Sequence, residues 1–285
     1  MSNDKLKILV CVHKKDFFLN DDVYMPIHVG KAISDLDLGI SGDNTGENIS
    51  VKNKSYCELT GLYWVWKNLM SSDVSYIGLC HYRRYFKFVT GPFNIRRFLP
   101  VTAKGFERAD LLTSNVESIL GQYDIIVAKP LIFRYSLAFD YNKRHVGKDL
   151  KALESVIKEL SPEYMPAFHE VINNGNRLSP CNMFVANKDI LNDYCTWLFT
   201  ILQELETRID LSGYDPVQAR IWGYMGERLL NVYVRKNNLR VKYCPIIGID
   251  DNAKKKNILR YCWPVLRNLV GFSISKMQNK HIVKL

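Results

Sequence analysis

Ser75-Tyr-Ile-Gly-Leu-Cys-His-Tyr-Arg-Arg-Tyr-Phe86 is the stretch whose reading decides the fold. Residues 76–80 form an apolar run long enough for a buried strand and too short for a buried helix. His81, Tyr82, Arg83 and Arg84 follow at once, with no glycine or proline between strand and charge. In open α/β sheets, ligands bind at the carboxyl ends of the strands. Two adjacent guanidinium groups suit a diphosphate, because arginine makes bidentate, charge-assisted bonds to phosphate oxygens. The plainer alternative is a strand end that fans into a solvated basic loop.

The same pattern occurs nearer the start. Lys7-Ile-Leu-Val-Cys-Val12 reads as a buried strand, and His13, Lys14 and Lys15 follow it. Two strand ends of one chemistry predict a shared anion or nucleotide site. Neither Gly-x-Gly-x-x-Gly nor a Gly-Lys-Ser/Thr phosphate loop is present. Residues 16–55 show little periodicity, and 41–50 are dense in turn formers. A long polar loop in a compact domain is often functional, which makes Asp43, Glu47, Asn48, Lys52 and Asn53 candidates, against a solvated loop.

Further along, strands and helices alternate. Residues 56–68 carry Leu59, Leu62, Tyr63 and Trp66 at helical spacing, with Glu58 placed to face a ligand from the first turn. Residues 90–104 are irregular and predict a flap. Ser114-Asn-Val-Glu117 is a capping-box pattern, and Ser161-Pro162 is a helix start. Strands are expected at 124–128, 181–186 and 240–248, and helices at 149–160 and 188–208. This order predicts an α/β fold with a mostly parallel sheet. In Gly213-Tyr-Asp-Pro-Val-Gln218, Asp215 is placed as a helix cap, with Pro216 first in the helix and Gln218 as capping-box partner. The stripe of Arg220, Gly223, Glu227 and Asn231 then faces either a ligand or, by default, solvent.

Bulk properties narrow the classes. The 285 residues fit one large domain or two small ones, with 47% apolar and 24% charged residues. The seven cysteines contain no Cys-x-x-Cys pair, so reduced thiols are expected rather than a disulfide framework or zinc site. There is no secretory pattern at the start and no apolar run near the ~20 residues of a membrane span. The net charge of +10 is concentrated in residues 252–285, where eight Lys or Arg meet no Asp or Glu. They are Lys254, Lys255, Lys256, Arg260, Arg267, Lys276, Lys280 and Lys284, interleaved with Tyr261, Trp263, Leu266 and Phe272. Such a basic, amphipathic C-terminal tail suits an anionic membrane surface, at about 1 kcal/mol per cation. No nucleic-acid recognition motif accompanies it, so nucleic acid is not an expected partner.

Several segments, taken together, carry a resemblance. They are Val12-His-Lys14, Asp43-Asn-Thr-Gly-Glu-Asn-Ile49, Tyr56-Cys-Glu-Leu-Thr-Gly-Leu-Tyr-Trp64, the stretch from Tyr76 to Phe86, Asn182-Met-Phe184, Arg208-Ile-Asp210 with Gly213-Tyr-Asp215, and Glu227-Arg-Leu-Leu-Asn231. In this order they resemble the bacterial capsular and exopolysaccharide glycosyltransferases long labelled only as a domain of unknown function. The resemblance covers about residues 6–250 and excludes the tail. It implies a GT-A-like, Rossmann-type nucleotide-binding core and divides the chain into a catalytic domain, 1–250, and a membrane-associating tail, 251–285. It implies a UDP-hexose donor, with galactose as pyranose or furanose, and a lipid-linked oligosaccharide acceptor. The location implied is cytoplasmic, peripheral on the inner face of the cell membrane.

The resemblance also assigns expected roles. Glu227, then Asp215, are the candidate bases. His13, Lys14, Asp43, Glu47, Asn53, His81, Tyr82, Arg83 and Arg84 are the candidate donor and diphosphate contacts. Tyr141, His145, Asn182 and Arg220 are the candidate acceptor or sugar contacts. GT-A enzymes commonly hold the diphosphate through Mn or Mg on an Asp-x-Asp motif. Here that strand end reads His81-Tyr-Arg-Arg84, so arginines are expected to replace the metal partly or wholly. Asp35-Leu-Asp37 has the metal-motif spacing but lies early, near a turn. The competing class is a basic peripheral membrane adaptor that binds an anionic ligand without chemistry.

Overall fold

The computed structural model describes residues 5–70, 72–90, 96–252 and 259–277. The first strand, β1 (Leu6–Val12), sends Leu9 and Cys11 into one core and Ile8, Val10 and Val12 into another on the opposite face of the sheet. Burial on both faces is why the run is apolar at successive positions. β2 (Tyr24–His28) pairs with it in parallel.

The helix expected over 56–68 is two pieces, α1 (Asn53–Tyr56) and α2 (Leu59–Asn68). The break is Cys57, in the left-handed region at φ 52°. Asn53 Nδ2 holds the corner, donating to the Cys57 carbonyl at 2.7 Å and to Thr60 Oγ1 at 3.0 Å. Residues 57 and 58 are thereby turned out of the helix.

β3 (Tyr76–His81) runs parallel to β1, with Cys11 opposite His81. The chain then reverses through Tyr82 and Arg83 into β4 (Arg84–Phe86), and His81 pairs with Arg84. The arginine pair therefore straddles a tight hairpin rather than opening a basic loop. β5 (Phe98–Val101) lies inside the segment expected to be a flap, whose residues 91–95 lie outside the described residues. The Ser114–Glu117 box forms no side-chain cap on α3 (Val116–Leu120). β6 (Ile125–Ala128) and a two-residue β7 (Leu131–Ile132) follow, then α4 (Leu137–Arg144), α5 (Gly147–Leu160) and α6 (Met165–Phe168). Ser161, expected as a cap, instead accepts a hydrogen bond from Trp197 Nε1 at 3.2 Å. β8 (Arg177–Leu178) pairs with β7.

β9 (Phe184–Asn187) starts three residues later than expected and is antiparallel to both β3 and β6. Gly78 permits this pairing, since a Cβ there would lie 2.8 Å from Val185 Cγ2 and 3.0 Å from the Phe184 carbonyl. α7 (Lys188–Arg208) spans the predicted helix, with Asn187 capping the Ile190 N–H. After α8 (Ile221–Lys236), Pro245 divides the expected last strand into β10 (Val241–Cys244), parallel to β6, and β11 (Ile246–Ile249), between β4 and β5.

The main sheet has nine strands: its body runs β2-β1-β3-β9-β6-β10, β4, β11 and β5 extend it from the end of β3, and only β9 and β4 are reversed. This is the mixed, mostly parallel α/β core the sequence predicts. Because β9 is reversed, its amino end meets the carboxyl ends of β1 and β3. Inside the predicted tail lies α9 (Leu259–Met277), which rests on the body: Asn268 Nδ2 donates to the Ile132 carbonyl at 2.7 Å. Trp263, Leu266, Val270, Ile274 and Met277 recur on one face and are all exposed. Lys254, Lys255, Lys256, Lys280 and Lys284 lie outside the described residues. Among the described residues no helix is long and apolar enough to cross a membrane.

Candidate active site

A cavity of about 440 Å³ opens at the carboxyl ends of β1 and β3. Three segments meet there: the β3–β4 hairpin, the α1–α2 corner and the first turns of α8. Of the residues singled out from sequence, His13, Asn53, His81, Tyr82, Arg83, Arg84, Arg220 and Glu227 line it. Glu58, read from sequence as facing a ligand, lines it too, and Lys54, Cys57 and Cys181 join them. Lys54, Arg83, Arg84 and Arg220 outnumber the carboxylates of Glu58 and Glu227, so the lining favours an anion.

The two hairpin arginines differ. Arg83 is tied to Asp16 at 2.8 Å and to Asp251 at 3.2 Å. Arg84 is exposed and no carboxylate among the described residues pairs with it. Arg220 donates to Cys57 Sγ at 3.2 Å. Lys14 lies behind the lining, with its ammonium 5.7 Å from the Tyr82 ring centroid, and His13 meets the same ring edge-on at 5.3 Å.

Arg220, just before α8, is exposed, but the rest of its stripe on α8 is packed: Gly223 is buried and Glu227 and Asn231 are half-buried. Gly223 lets the helix approach the α1–α2 corner, where a Cβ would lie 3.1 Å from Cys57 Sγ. Glu227 accepts a hydrogen bond from the Cys181 N–H at 2.7 Å, and Asn231 Oδ1 accepts one from the Ser179 N–H at 3.0 Å. Cys181 and Asn182 both hold left-handed backbone, at φ 69° and 50°, which is costly for residues with a side chain and recurs at functional sites. Asn182 sits under the cavity floor, donating to Glu58 Oε1 at 2.8 Å and to the Gly223 carbonyl.

Burial pushes the Glu227 carboxyl above the ordinary glutamate range, and the neighbouring Glu58 carboxylate pushes it further. Burial lowers the His81 pKa, with Glu58 opposing and Arg84 assisting. Its Nε2 donates to the Cys181 carbonyl at 2.8 Å, which leaves Nδ1 of the neutral ring free to accept. His13 is likewise lowered, by burial and then by Lys14.

The other sequence candidates lie elsewhere. Asp43 is fully buried and holds the loop, accepting from the Gly30 N–H at 3.0 Å, the Lys31 N–H at 3.1 Å and the Ser50 hydroxyl. Asp43→Ala is expected to cost about 3 kcal/mol, since buried donors lose their acceptor. A lower urea midpoint measures it; an unchanged midpoint would refute the staple. Glu47 bonds Tyr63 and Lys67 at the surface. Tyr141 packs under the Arg228 guanidinium, and His145 packs at a tilt against Tyr224, with ring centroids 4.3 Å apart, both outside the cavity lining. Asp215 does cap, accepting from the Val217 and Gln218 N–H groups at 2.7 and 2.9 Å. The reciprocal bond is not made: the Gln218 side chain turns to the Arg144 carbonyl and His145.

A divalent cation does not suit this lining. Among the described residues no three His, Cys, Asp or Glu side chains are placed to hold one. Glu58 and Glu227 both already accept hydrogen bonds, and three guanidinium groups share their cavity. Asp35 and Asp37 are exposed in a loop, and Asp37 accepts the Gly39 N–H at 2.9 Å.

Lys54, Cys57, Cys181 and Asp16 were not singled out from sequence. Asp16 follows β1 closely and was legible as a counter-charge to the arginines. Cys57 and Cys181 reach the cavity through left-handed backbone that no glycine marks.

Fold and cavity together define a mixed α/β protein with a cationic cleft at the ends of its parallel strands. The chain belongs to the family described as domain of unknown function (DUF4422), whose family model matches residues 7–238. It is similar to the solved apo structure of the WbbM bifunctional glycosyltransferase, with 32% identity and a TM-score of 0.79. That similarity covers 86% of this chain and 45% of the other, so the chain spans less than half of that relative's length. No curated protein matches the chain.

Proposed function

We propose that the chain is a glycosyltransferase that moves a hexose from a UDP-sugar to a lipid-linked glycan. Galactose, as pyranose or furanose, is the sugar proposed. The observation that carries this reading is the meeting, in one cleft, of Arg84, with which no carboxylate among the described residues pairs, and Glu227, a carboxylate that burial makes more basic. Transfer breaks the bond between the anomeric carbon and the diphosphate oxygen. The leaving UDP gathers charge, which Arg84, Arg220 and Arg83 neutralise. Glu227 takes the proton of the acceptor hydroxyl as its oxygen bonds the anomeric carbon. Direct displacement assisted by this base would invert the anomeric centre. The similarity to the WbbM bifunctional glycosyltransferase supports the reaction class.

Residues 1–250 would form the catalytic domain. The basic segment 251–285 would hold the protein to the cytoplasmic face of an anionic membrane, where the lipid-linked acceptor is found. The exposed apolar face of α9, with Arg267 and Lys276 exposed beside it, supports this placement.

UDP release tests the proposal, using UDP-glucose, UDP-galactopyranose and UDP-galactofuranose with a lipid-linked glycan fraction. Release with a galactose donor, dependent on the glycan, is expected. No release from any donor would leave a ligand-binding adaptor as the better account.

A further inference from the structure

A second cavity, of about 640 Å³, lies beyond the opposite side of the segment that bears Cys181. Its volume is that of an ordinary small-molecule site. The π-helical turn His169–Asn173, the carboxyl half of α8, the strands β6 and β10, and α9 enclose it. Val171, Leu230, Val234, Leu239, Tyr243 and Phe272 give it an apolar wall, beside a polar one that includes Asn174, Asn176, Asn231 and Asn238. π-helical turns recur at functional sites.

One rim of this cavity is cationic and lacks counter-charge. Arg177 lines it and is exposed. Arg97 and Lys129 stand beside it, on either side of Pro245. The Lys129 N–H bonds the Cys244 carbonyl and the Ile246 N–H bonds the Arg97 carbonyl, each at 2.9 Å. Burial lowers the Arg97 pKa and Arg177 lowers it further; burial and then Arg97 do the same to Lys129. No carboxylate among the described residues forms an ion pair with any of the three. By contrast, Arg235 on another wall is paired with Glu170 at 2.7 Å. Three cations with no carboxylate partner among the described residues, beside a cavity with an apolar wall, match an amphiphile.

We propose that this cavity binds a lipid phosphate: Arg97, Lys129 and Arg177 hold a phosphate or diphosphate, and the apolar wall receives the start of its hydrocarbon chain. The source is membrane lipid rather than free phosphate, because α9 supplies Phe272 to the cavity wall and, on its opposite side, exposes an apolar face suited to a membrane surface. Ser179 and Asn231 line this cavity, and Cys181 and Glu227 line the cleft. Four residues of α8, about 6 Å, separate Asn231 from Glu227. The cavity and the cleft are thus neighbours, and a glycan borne on the lipid phosphate would extend from one toward the other, a consequence that rests on the transferase reading; lipid phosphate binding itself does not.

The test is a calorimetric titration with farnesyl diphosphate below its micelle concentration, with UDP present at saturation. Geranyl diphosphate and inorganic pyrophosphate are titrated alongside. Each buried methylene adds roughly fourfold in affinity, so farnesyl diphosphate is expected to bind more than tenfold tighter than geranyl diphosphate. Arg97→Gln with Arg177→Gln is expected to weaken it at least tenfold. Val234→Trp, which fills the apolar end, is expected to remove the dependence on chain length. Equal affinity for farnesyl diphosphate and pyrophosphate, or wild-type affinity in the Arg97/Arg177 double variant, would overturn the proposal. UDP-galactose titrated in parallel separates failure of this site from failure of the transferase reading.

Discussion

Glu227→Gln is expected to lower transfer by about 10²- to 10⁴-fold, the range that general-base catalysis contributes. The substitution keeps an oxygen that can accept the Cys181 N–H, now at 2.7 Å, so the strained turn at 181–182 retains its support. What it removes is basicity. UDP-sugar affinity is expected to stay within a few-fold, because the proposed role of the carboxylate is toward the acceptor hydroxyl and not the diphosphate. The pH profile gives an independent check. Burial and Glu58 raise the Glu227 pKa, so the acidic limb of kcat/KM should lie above the 4.5 of an ordinary glutamate. Activity is present above that limb and is lost as pH falls through it, when the base becomes protonated. Normal transfer by Glu227→Gln would remove Glu227 from this role and turn attention to Glu58, the other carboxylate in the cleft.

Arg84→Ala is expected to lower turnover by about 10²- to 10³-fold, the effect of deleting one well-placed stabiliser of developing charge. Arg83→Ala should have a smaller effect. Asp16 and Asp251 already neutralise much of the Arg83 charge, whereas Arg84 has no carboxylate partner among the described residues. Arg84→Lys should rescue only part of the loss, because an ammonium lacks the planar fork that grips two phosphate oxygens. Steady-state UDP release by the three variants measures the order. Equal losses for Arg83→Ala and Arg84→Ala would show that the Asp16 pairing does not persist with donor bound.

Much of the site was legible because its chemistry sits where apolar runs stop. The ends of β1 and β3 gave His13, His81 and the arginine pair, and all of these line the cleft. The tight hairpin turn at Tyr82 and Arg83 was not legible, because neither glycine nor asparagine marks it. The kink at Cys57 was hidden for the same reason: its left-handed backbone is held by Asn53, a contact that helical periodicity cannot register. The reversal of β9 also escaped, since a strand buried on both faces is apolar whichever way it runs. α8 shows the limit of amphipathic reading. Its polar stripe looked like a solvent face, yet Gly223 allowed close packing against the corner at Cys57 and turned Glu227 into the cleft. Asp43 and Glu47 came from a correct reading of a polar loop, but polarity alone does not separate a residue that holds a loop from one that meets a ligand. Asp43 holds the loop through the Gly30, Lys31 and Ser50 donors.

The central claim is that arginines, with Arg84 foremost, hold a nucleotide-sugar diphosphate in the cleft between β1, β3 and α8. Calorimetric titration of UDP-galactose into the wild-type protein and Arg84→Ala, in EDTA and then with Mn²⁺, tests it most directly. The account predicts saturable binding in EDTA that Mn²⁺ changes little and Arg84→Ala largely removes. Binding that requires Mn²⁺, or that is unaffected by Arg84→Ala, would contradict it.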